Sequence, residues 1–328
     1  MPERPLVSVV IIFLNPPEPF FREAIASVFT QTYDHWELLL VDDGSTNGAS
    51  KIATDRARQY PARVRYLEHE GHRNIGAPAS RNAGIANSRG KYIAFLDADD
   101  VWLPRKLEQQ VTILETYPKA SMVFGSSLYW HSWTGEPKDA RRDFIPAMGV
   151  PADTLLKPPS MVTLSYPLGS VHTPGPTQLM FHREMMERIG PLEESFKGDY
   201  QLYEDQVFLA KVYLNESVFV SGEVLEKYRI HPDSCANKTS KRNAVAARLM
   251  YLRWLAGYLQ QQGVKDQEIW KAVERAFWPH RHPVLSSVRD QIRRVGRGVA
   301  KLAKSLKRRD GKGQERRIEP LAYEDPRH

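Results

Sequence analysis

The run Gly90-Lys91-Tyr92-Ile93-Ala94-Phe95-Leu96-Asp97-Ala98-Asp99-Asp100 constrains this chain more than any other. An apolar strand ends there in three carboxylates within four positions. Like charges so close repel one another and have no use in a core. They make sense at a strand end that receives a divalent cation and a phosphate-bearing ligand. Hard cations such as Mg²⁺ or Mn²⁺ take oxygen ligands, often one or two carboxylates completed by substrate phosphates. Read alone, the run is equally a solvated acidic turn capping the next helix, and a short motif does not decide between the two.

The first hundred residues alternate apolar runs with helix-like runs. Strands are predicted over Val7–Leu14, Glu37–Val41, Val64–Leu67 and Tyr92–Leu96, with helices over Phe20–Phe29, Ala49–Tyr60 and Ala77–Ser88. Such alternation implies right-handed crossovers and a mostly parallel sheet flanked by helices, an α/β fold. Ligands of open sheets bind at the carboxyl ends of the strands. Asp42-Asp43-Gly44-Ser45 and Asp97–Asp100 both fall at strand ends, so acids distant in sequence converge on one crevice. Further on, a helix over Trp102–Tyr117, with Pro104 in its first turn, precedes a strand over Ser121–Phe124. The stretch from Ser126 to Pro176, rich in Pro, Trp and Tyr, reads as an irregular pocket-shaping insertion. A strand over Gln178–His182, helices over Glu184–Ile189 and Glu204–Val212, and a strand over Val218–Val220 follow. Asn243–Gln262 and Gln267–Phe277 form a helical pair, and Trp278-Pro279 breaks the pattern.

Composition is ordinary for a globular protein, with 41% hydrophobic and 26% charged residues. The lone cysteine, Cys235, excludes an internal disulfide, suits a reducing compartment and reads as a bland loop thiol. No signal peptide and no apolar run long enough to span a bilayer are visible. The net charge of +7 is confined to one segment. Residues 284–309 hold nine Lys or Arg against a single acid, Asp290, so the basicity needs a local explanation and not a general nucleic-acid surface. There Leu285, Val288, Ile292, Val295, Val299, Leu302 and Leu306 recur at alternating spacings of 3 and 4, one narrow apolar stripe with cationic faces around it. That pattern suits an interfacial helix on anionic lipid; the rivals are a helix packed on the catalytic domain, nucleic-acid contact, and a coiled-coil seam, which the missing acidic partners disfavour.

Asp42-Asp43-Gly44-Ser45 offers carboxylates that can accept a pyrimidine N–H or ribose hydroxyls, and equally an N-capping loop. Arg81, in Asn74-Ile75-Gly76 to Arg81-Asn82-Ala83-Gly84, can reach a phosphate or anchor the acidic cluster. No dinucleotide fingerprint or P-loop is present, which disfavours hydride transfer and P-loop NTPase chemistry.

The ordered set Ser8-Val9-Val10-Ile11, Ala26 to Tyr33, Glu37 to Ser45, Asn74-Ile75-Gly76 with Arg81 to Gly84, and Gly90 to Asp100 resembles the family 2 glycosyltransferases of GT-A fold. The match is dense over 6–125. It thins through Gly190 and Glu204-Asp205 to Tyr228-Arg229-Ile230-His231. Ile12-Phe13-Leu14-Asn15 departs from it, where such enzymes often have Pro or Thr and Tyr before the Asn. The resemblance implies a metal-dependent, inverting transfer of a sugar from a nucleotide-sugar donor, expected to be a UDP-sugar, to a glycan or lipid-linked acceptor hydroxyl. It implies Mn²⁺ or Mg²⁺ as cofactor. Asp43, with Asp42, would contact the base, Arg81 would lie in the donor site, Asp97 would sit by the ribose, and Asp99 would ligate the metal. Arg229 and His231 would approach the diphosphate. Asp205 would be the general base, Glu204 raising its pKa, and Asp100 either a second metal ligand or, the slightly favoured reading, a helix N-cap. The rivals are a sugar nucleotidyltransferase, disfavoured by the Glu204-Asp205 half of the pattern, and a non-catalytic nucleotide-sugar-binding protein.

The expected organisation is a GT-A catalytic domain over 1–238, with a nucleotide-sugar-binding half (1–125) and an acceptor-side half (126–238). A helical extension (239–283), the basic amphipathic helix (284–309) and a disordered tail (310–328) follow. The expected place is cytoplasmic, held peripherally on the cytoplasmic face of a membrane through 284–309, in surface glycan or glycolipid synthesis, with no nucleic-acid partner.

Overall fold

Val7–Phe13 and Trp36–Asp42 are mostly apolar and almost wholly buried, with Ser8, Glu37 and Asp42 as the polar exceptions, and they pair in parallel. The computed structural model describes residues 4–285. Its strands are β1 (Val7–Phe13), β2 (Trp36–Asp42), β3 (Val64–Glu68), β4 (Tyr92–Phe95), β5 (Val101–Trp102), β6 (Met122–Trp130), β7 (Thr154–Leu156), β8 (Met180–His182) and β9 (Val218–Arg229). The helices are α1 (Glu18–Phe29), α2 (Ala49–Gln59), α3 (Ala77–Ala86), α4 (Lys106–Thr116), α5 (Pro137–Ala140), α6 (Ser160–Leu164), α7 (Met185–Ile189), α8 (Glu204–Asn215), α9 (Cys235–Lys238), α10 (Lys241–Gln261) and α11 (Gln267–Arg281). The chain divides into two compact units, Met1–Phe277 and Trp278–His328. Apart from Val284 and Leu285, the expected basic helix over 284–309 lies outside the described residues, as does the tail over 310–328. Among the described residues no helix is long and apolar enough to cross a membrane.

All the strands join one nine-stranded sheet in the order β3-β2-β1-β4-β8-β6-β9-β5, with β7 also on β9. β3, β2, β1 and β4 run parallel. β8 is antiparallel to both β4 and β6, which returns β6 and β9 to parallel pairing. The chain winds outward from β1 to β3 and then crosses back to place β4 on the other side of β1. The carboxyl ends of β1, β2 and β4 therefore surround the switch point where ligands of such sheets sit.

Successive strand residues point to opposite faces, and each face has its own core. Val10, Leu39, Phe95 and Phe181 join Phe208 of α8 and Leu252, Leu255 and Ile269 of α10 and α11. Val9, Leu38, Leu40 and Ala94 join Phe21 and Ile25 of α1, Ile52 of α2 and Leu107 and Val111 of α4. At the β1–α3 contact a Cβ on Gly84 would lie 2.4 Å from Val10 Cγ1, so glycine lets the helix approach the sheet that closely.

The structure corrects several expectations. Trp102 does not open a helix: Val101 and Trp102 pair with Lys227 and Glu226 of β9, and α4 starts at Lys106. Trp102 is buried, with its indole donating to Thr177 O, and tertiary packing overrides local helical pattern there. The strand expected over Ser121–Phe124 continues to Trp130 through bulges around Ser126. That over Val218–Val220 continues to Arg229. The stretch read as irregular thus contains half of a central strand pair, together with β7 and α5–α6. α11 runs past Trp278-Pro279 to Arg281.

Phe208 is buried between Phe95 and Phe181, with ring centroids 6.5 and 5.5 Å away. Phe208→Ala is expected to destabilise the fold by about 3–5 kcal/mol, measured as a lowered thermal unfolding midpoint.

Candidate active site

β2 ends in Asp42 and Asp43, and the two carboxylates do different things. Asp42 is fully buried and accepts from Ser45 N at 2.7 Å, Ser50 Oγ at 2.5 Å and Tyr66 Oη at 3.1 Å. With both oxygens occupied inside the turn, it has no face for the expected base contact and instead fastens the loop. Asp43 accepts from the Ile75 and Gly76 amides at 2.9 and 3.1 Å, tying the Asn74–Gly76 segment to the strand end. Gly44, at φ +86°, permits this approach, since a Cβ there would lie 2.7 Å from Asn74 N. Asn15, at φ 48°, braces the same loop by accepting from Thr46 N and Asn47 N at 2.7 and 3.1 Å. The apolar Ile12-Phe13-Leu14 segment thus leads into an Asn15 whose side chain is engaged with the Thr46-Asn47 amides.

β4 ends in Asp97-Ala98-Asp99-Asp100, and three elements hold its acids apart. Asp97 is 28% exposed at its side chain, lies 3.0 Å from Arg81 Nη2, and takes Thr177 Oγ1 as acceptor for its amide. Burial raises its carboxyl above the usual range against the pull of Arg81. Asp100 is not a helix cap. It is buried, accepts from Thr177 Oγ1 at 2.9 Å and from Arg229 N at 2.9 Å, and so fastens the cluster to β9. Burial, with Asp99 and Asp97 beside it, holds its carboxyl well above the usual range.

Asp99 is the most open of the three, 33% exposed at its side chain, and His231 Nε2 lies 3.0 Å from its Oδ2. Arg229, expected at the diphosphate, is instead a brace for Asp99. Its guanidinium donates to Asp99 O at 2.7 Å and to Glu23 Oε2 at 2.5 Å, and lies over the rings of Phe20 and Trp130 at 4.2 and 4.5 Å. Trp133 fixes the next turn by donating to Ile230 O at 2.8 Å. Among the described residues no group of three or more His, Cys, Asp or Glu side chains could hold a metal by itself. Asp99 and His231 do converge, and two protein donors fit a cation that completes its shell with phosphate oxygens and water, as Mg²⁺ and Mn²⁺ do.

α8 opens with Glu204 and Asp205 on the opposite wall. Arg81 of α3, buried in the crevice, donates through Nη1 to Glu204 Oε1 while its other arm holds Asp97. Asp205 is partly exposed and accepts from Gln206 N at 2.7 Å. Burial, and after it the Glu204 carboxylate, push the Asp205 carboxyl up to about 7. A carboxylate near neutrality at a crevice wall is suited to proton abstraction. Arg81, Asp97, Glu204 and Asp205 thus form one electrostatic group, and Asp99 and His231 form a second beside it. Sequence reasoning missed Thr177, Glu23, Phe20 and the brace role of Arg229. Thr177 is an isolated hydroxyl after Pro176, and Glu23 sits on an ordinary amphipathic helix, so no local pattern marks either.

The family model of glycosyl transferase family 2 matches residues 8–190. Among curated relatives, an uncharacterized glycosyltransferase, MJ1057 of Methanocaldococcus jannaschii, is 34% identical over 144 residues, 44% of this chain and 48% of that protein. An uncharacterized glycosyltransferase, EpsJ of Bacillus subtilis, is 31% identical over 70% of this chain and 62% of its own. The chain therefore spans less than two thirds of the length of these relatives. Among solved structures, S. aureus TarS 1-349 in complex with UDP-GlcNAc superposes with a TM-score of 0.60 at 17% identity, covering 83% of this chain and 72% of that one. The mannosyltransferase PcManGT from Pyrobaculum calidifontis, in complex with GDP-Man and Mn²⁺, gives a TM-score of 0.54 at 16% identity over 95% and 82% of the two chains. At such identities the structural likeness concerns the fold.

The raised Asp205 carboxyl makes a stability prediction. Its folded value of about 7 exceeds the ordinary unfolded value, so the folded state binds the proton more tightly and the carboxylate's penalty grows as pH rises from about 4 to about 7. Asp205→Asn is therefore expected to raise the thermal midpoint relative to wild type above pH 7. The difference should shrink toward pH 4 as Asp205 takes up its proton, measured by parallel thermal melts across that range.

Proposed function

The chain belongs to glycosyl transferase family 2 with the GT-A fold, and on that premise we propose that it is an inverting transferase moving a sugar from a nucleotide-diphosphate donor to an acceptor hydroxyl. The observation that carries this reading is the Glu204-Asp205 pair at the start of α8, tied through Arg81 to Asp97 at the end of β4, with burial raising the Asp205 carboxyl to about 7. In the proposed step an acceptor O–H gives its proton to Asp205 as its oxygen attacks the anomeric carbon. The bond from that carbon to the diphosphate breaks, and the electron pair leaves with the diphosphate. One displacement with the base opposite the leaving group inverts the anomeric centre. Positioned proton abstraction of this kind contributes about 10²–10⁴-fold in rate.

Asp43, by holding the Ile75 and Gly76 amides, shapes the proposed nucleotide end of the crevice, and Asp97 stands on its ribose side. Mn²⁺ or Mg²⁺ held by Asp99 and His231 would supply positive charge for the departing diphosphate. A UDP-sugar is the proposed donor, consistent with the UDP-GlcNAc complex of the TarS structure. From its sequence alone we also assign 284–309 to an anionic membrane surface, where a lipid-linked acceptor or growing glycan would be met.

Three outcomes test the proposal. Asp99→Ala should abolish the Mn²⁺-dependent thermal shift produced by UDP, and a retained shift removes Asp99 as a ligand. Asp205→Asn should bind the donor with near wild-type affinity yet lose about 10²–10⁴-fold in transfer; normal turnover would falsify the base assignment. Deleting 284–328 should release the protein from phosphatidylserine vesicles in sedimentation, while cosedimentation of the truncated chain would count against the tail as anchor.

A further inference from the structure

One buried hydroxyl touches both ends of the Asp97–Asp100 cluster. Thr177 lies in the turn Pro176–Gln178, just before β8. Its Oγ1 donates to Asp100 Oδ2 at 2.9 Å and accepts from Asp97 N at 3.0 Å. A hydroxyl has a single proton to give, so Thr177 spends it on the Asp100 carboxylate and keeps its lone pairs for the Asp97 amide. The cluster closes on itself through Asp100 N, which donates to Asp97 O at 3.2 Å. Asp99 stands between these two fixed ends, its carbonyl held by Arg229 and its carboxylate facing His231.

The turn that carries Thr177 is itself anchored from below. Thr177 O accepts from the Trp102 indole at 3.2 Å. Gln178 O accepts from Lys106 Nζ at 3.2 Å and from Gln110 Nε2 at 2.8 Å. All three donors are buried. Thr177 is therefore a fixed point against which three mutually repelling acids are held.

We propose that Thr177 is a positioning residue for the cation site. By pinning Asp97 at its amide and Asp100 at its carboxylate, it keeps Asp100 buried and leaves Asp99, 33% exposed at its side chain, aimed into the crevice beside His231. The inference rests on the reading of Asp99 and His231 as the protein's donors to Mn²⁺ or Mg²⁺. Groups that hydrogen-bond a metal's ligands and their neighbours, without touching the metal, govern its affinity by about 10–100-fold. Valine has the shape of threonine without the hydroxyl. Thr177→Val thus strips one restraint from each end of the cluster, and the repulsion among its acids shifts Asp99 off its aim.

The test reads metal and nucleotide binding, not transfer. The full chain is titrated calorimetrically with UDP, with and without Mn²⁺, well below each variant's unfolding midpoint. The quantity compared is the ratio of the two UDP affinities. Thr177→Val is expected to lower that ratio at least about tenfold and to leave the metal-free UDP affinity at the wild-type value. Thr177→Ser, which keeps the hydroxyl, should hold the wild-type ratio. If Thr177→Val does not fold, Thr177→Cys takes its place, because a thiol is a weak donor and acceptor, and the same fall is expected. An unchanged ratio, or UDP affinity weakened equally with and without Mn²⁺, assigns Thr177 to the fold alone and overturns the inference while the metal reading stands. A ratio in Thr177→Ser as low as that of Thr177→Val overturns it too. A wild-type ratio near one removes the metal reading itself, and the positioning role with it.

Discussion

A buried guanidinium joins the two walls of this crevice. Asp97 comes from the end of a strand, Glu204 from the start of a helix more than a hundred residues later, and Arg81 from the helix between them in space. Two carboxylates drawn into a dry crevice would take up protons or push apart. Removing one partner of a buried pair typically costs about 3–5 kcal/mol because the other charge is left uncompensated. The Arg81 fork holds both acids on one buried cation, so neither has to take up a proton or retreat to solvent. The sheet serves that contact: β4 lies beside β1 so that Asp97 emerges at the switch point, and α3 packs on β1 through Gly84 closely enough for Arg81 to reach it.

A second brace works on Asp99. An exposed carboxylate between two other acids would be pushed toward water. Its backbone is instead held by Arg229, whose charge is shared with Glu23 and stacked among Phe20 and Trp130. His231 then stands against the carboxylate itself. The long β9 makes this possible, because a strand reaching Arg229 carries the Tyr228–His231 segment across to the end of β4. Asp100 is spent on that join, which explains why three acids stand where a ligand would need only one or two.

Much of the fold was legible because its signals are local. Continuous apolar runs such as Val9–Phe13 and Leu38–Val41, rich in β-branched or aliphatic residues and followed by turn residues, read as doubly buried strands. Errors gathered where a residue's fate depends on a distant partner. Trp102 pairs with β9 in place of opening a helix, Ser126–Trp130 is a strand because Val224–Arg229 lies beside it, and Asp100 accepts from Arg229 instead of capping. Asp42 and Asp43 look alike in sequence, yet one points into the turn and the other toward the Ile75 and Gly76 amides, a distinction made by strand alternation and loop closure together.

The sequence by itself determined that this chain builds an α/β sheet with acids at the ends of two strands and another acidic pair downstream, because apolar periodicity and turn chemistry act over a few residues. Its likeness to family 2 glycosyltransferases rested on the order of those motifs. Only the tertiary structure decided which acids are spent on holding the fold and which face the crevice. A carboxylate's availability depends on the donors that reach it, and here Thr177, Arg81, Arg229 and His231 arrive from elements that no local pattern connects.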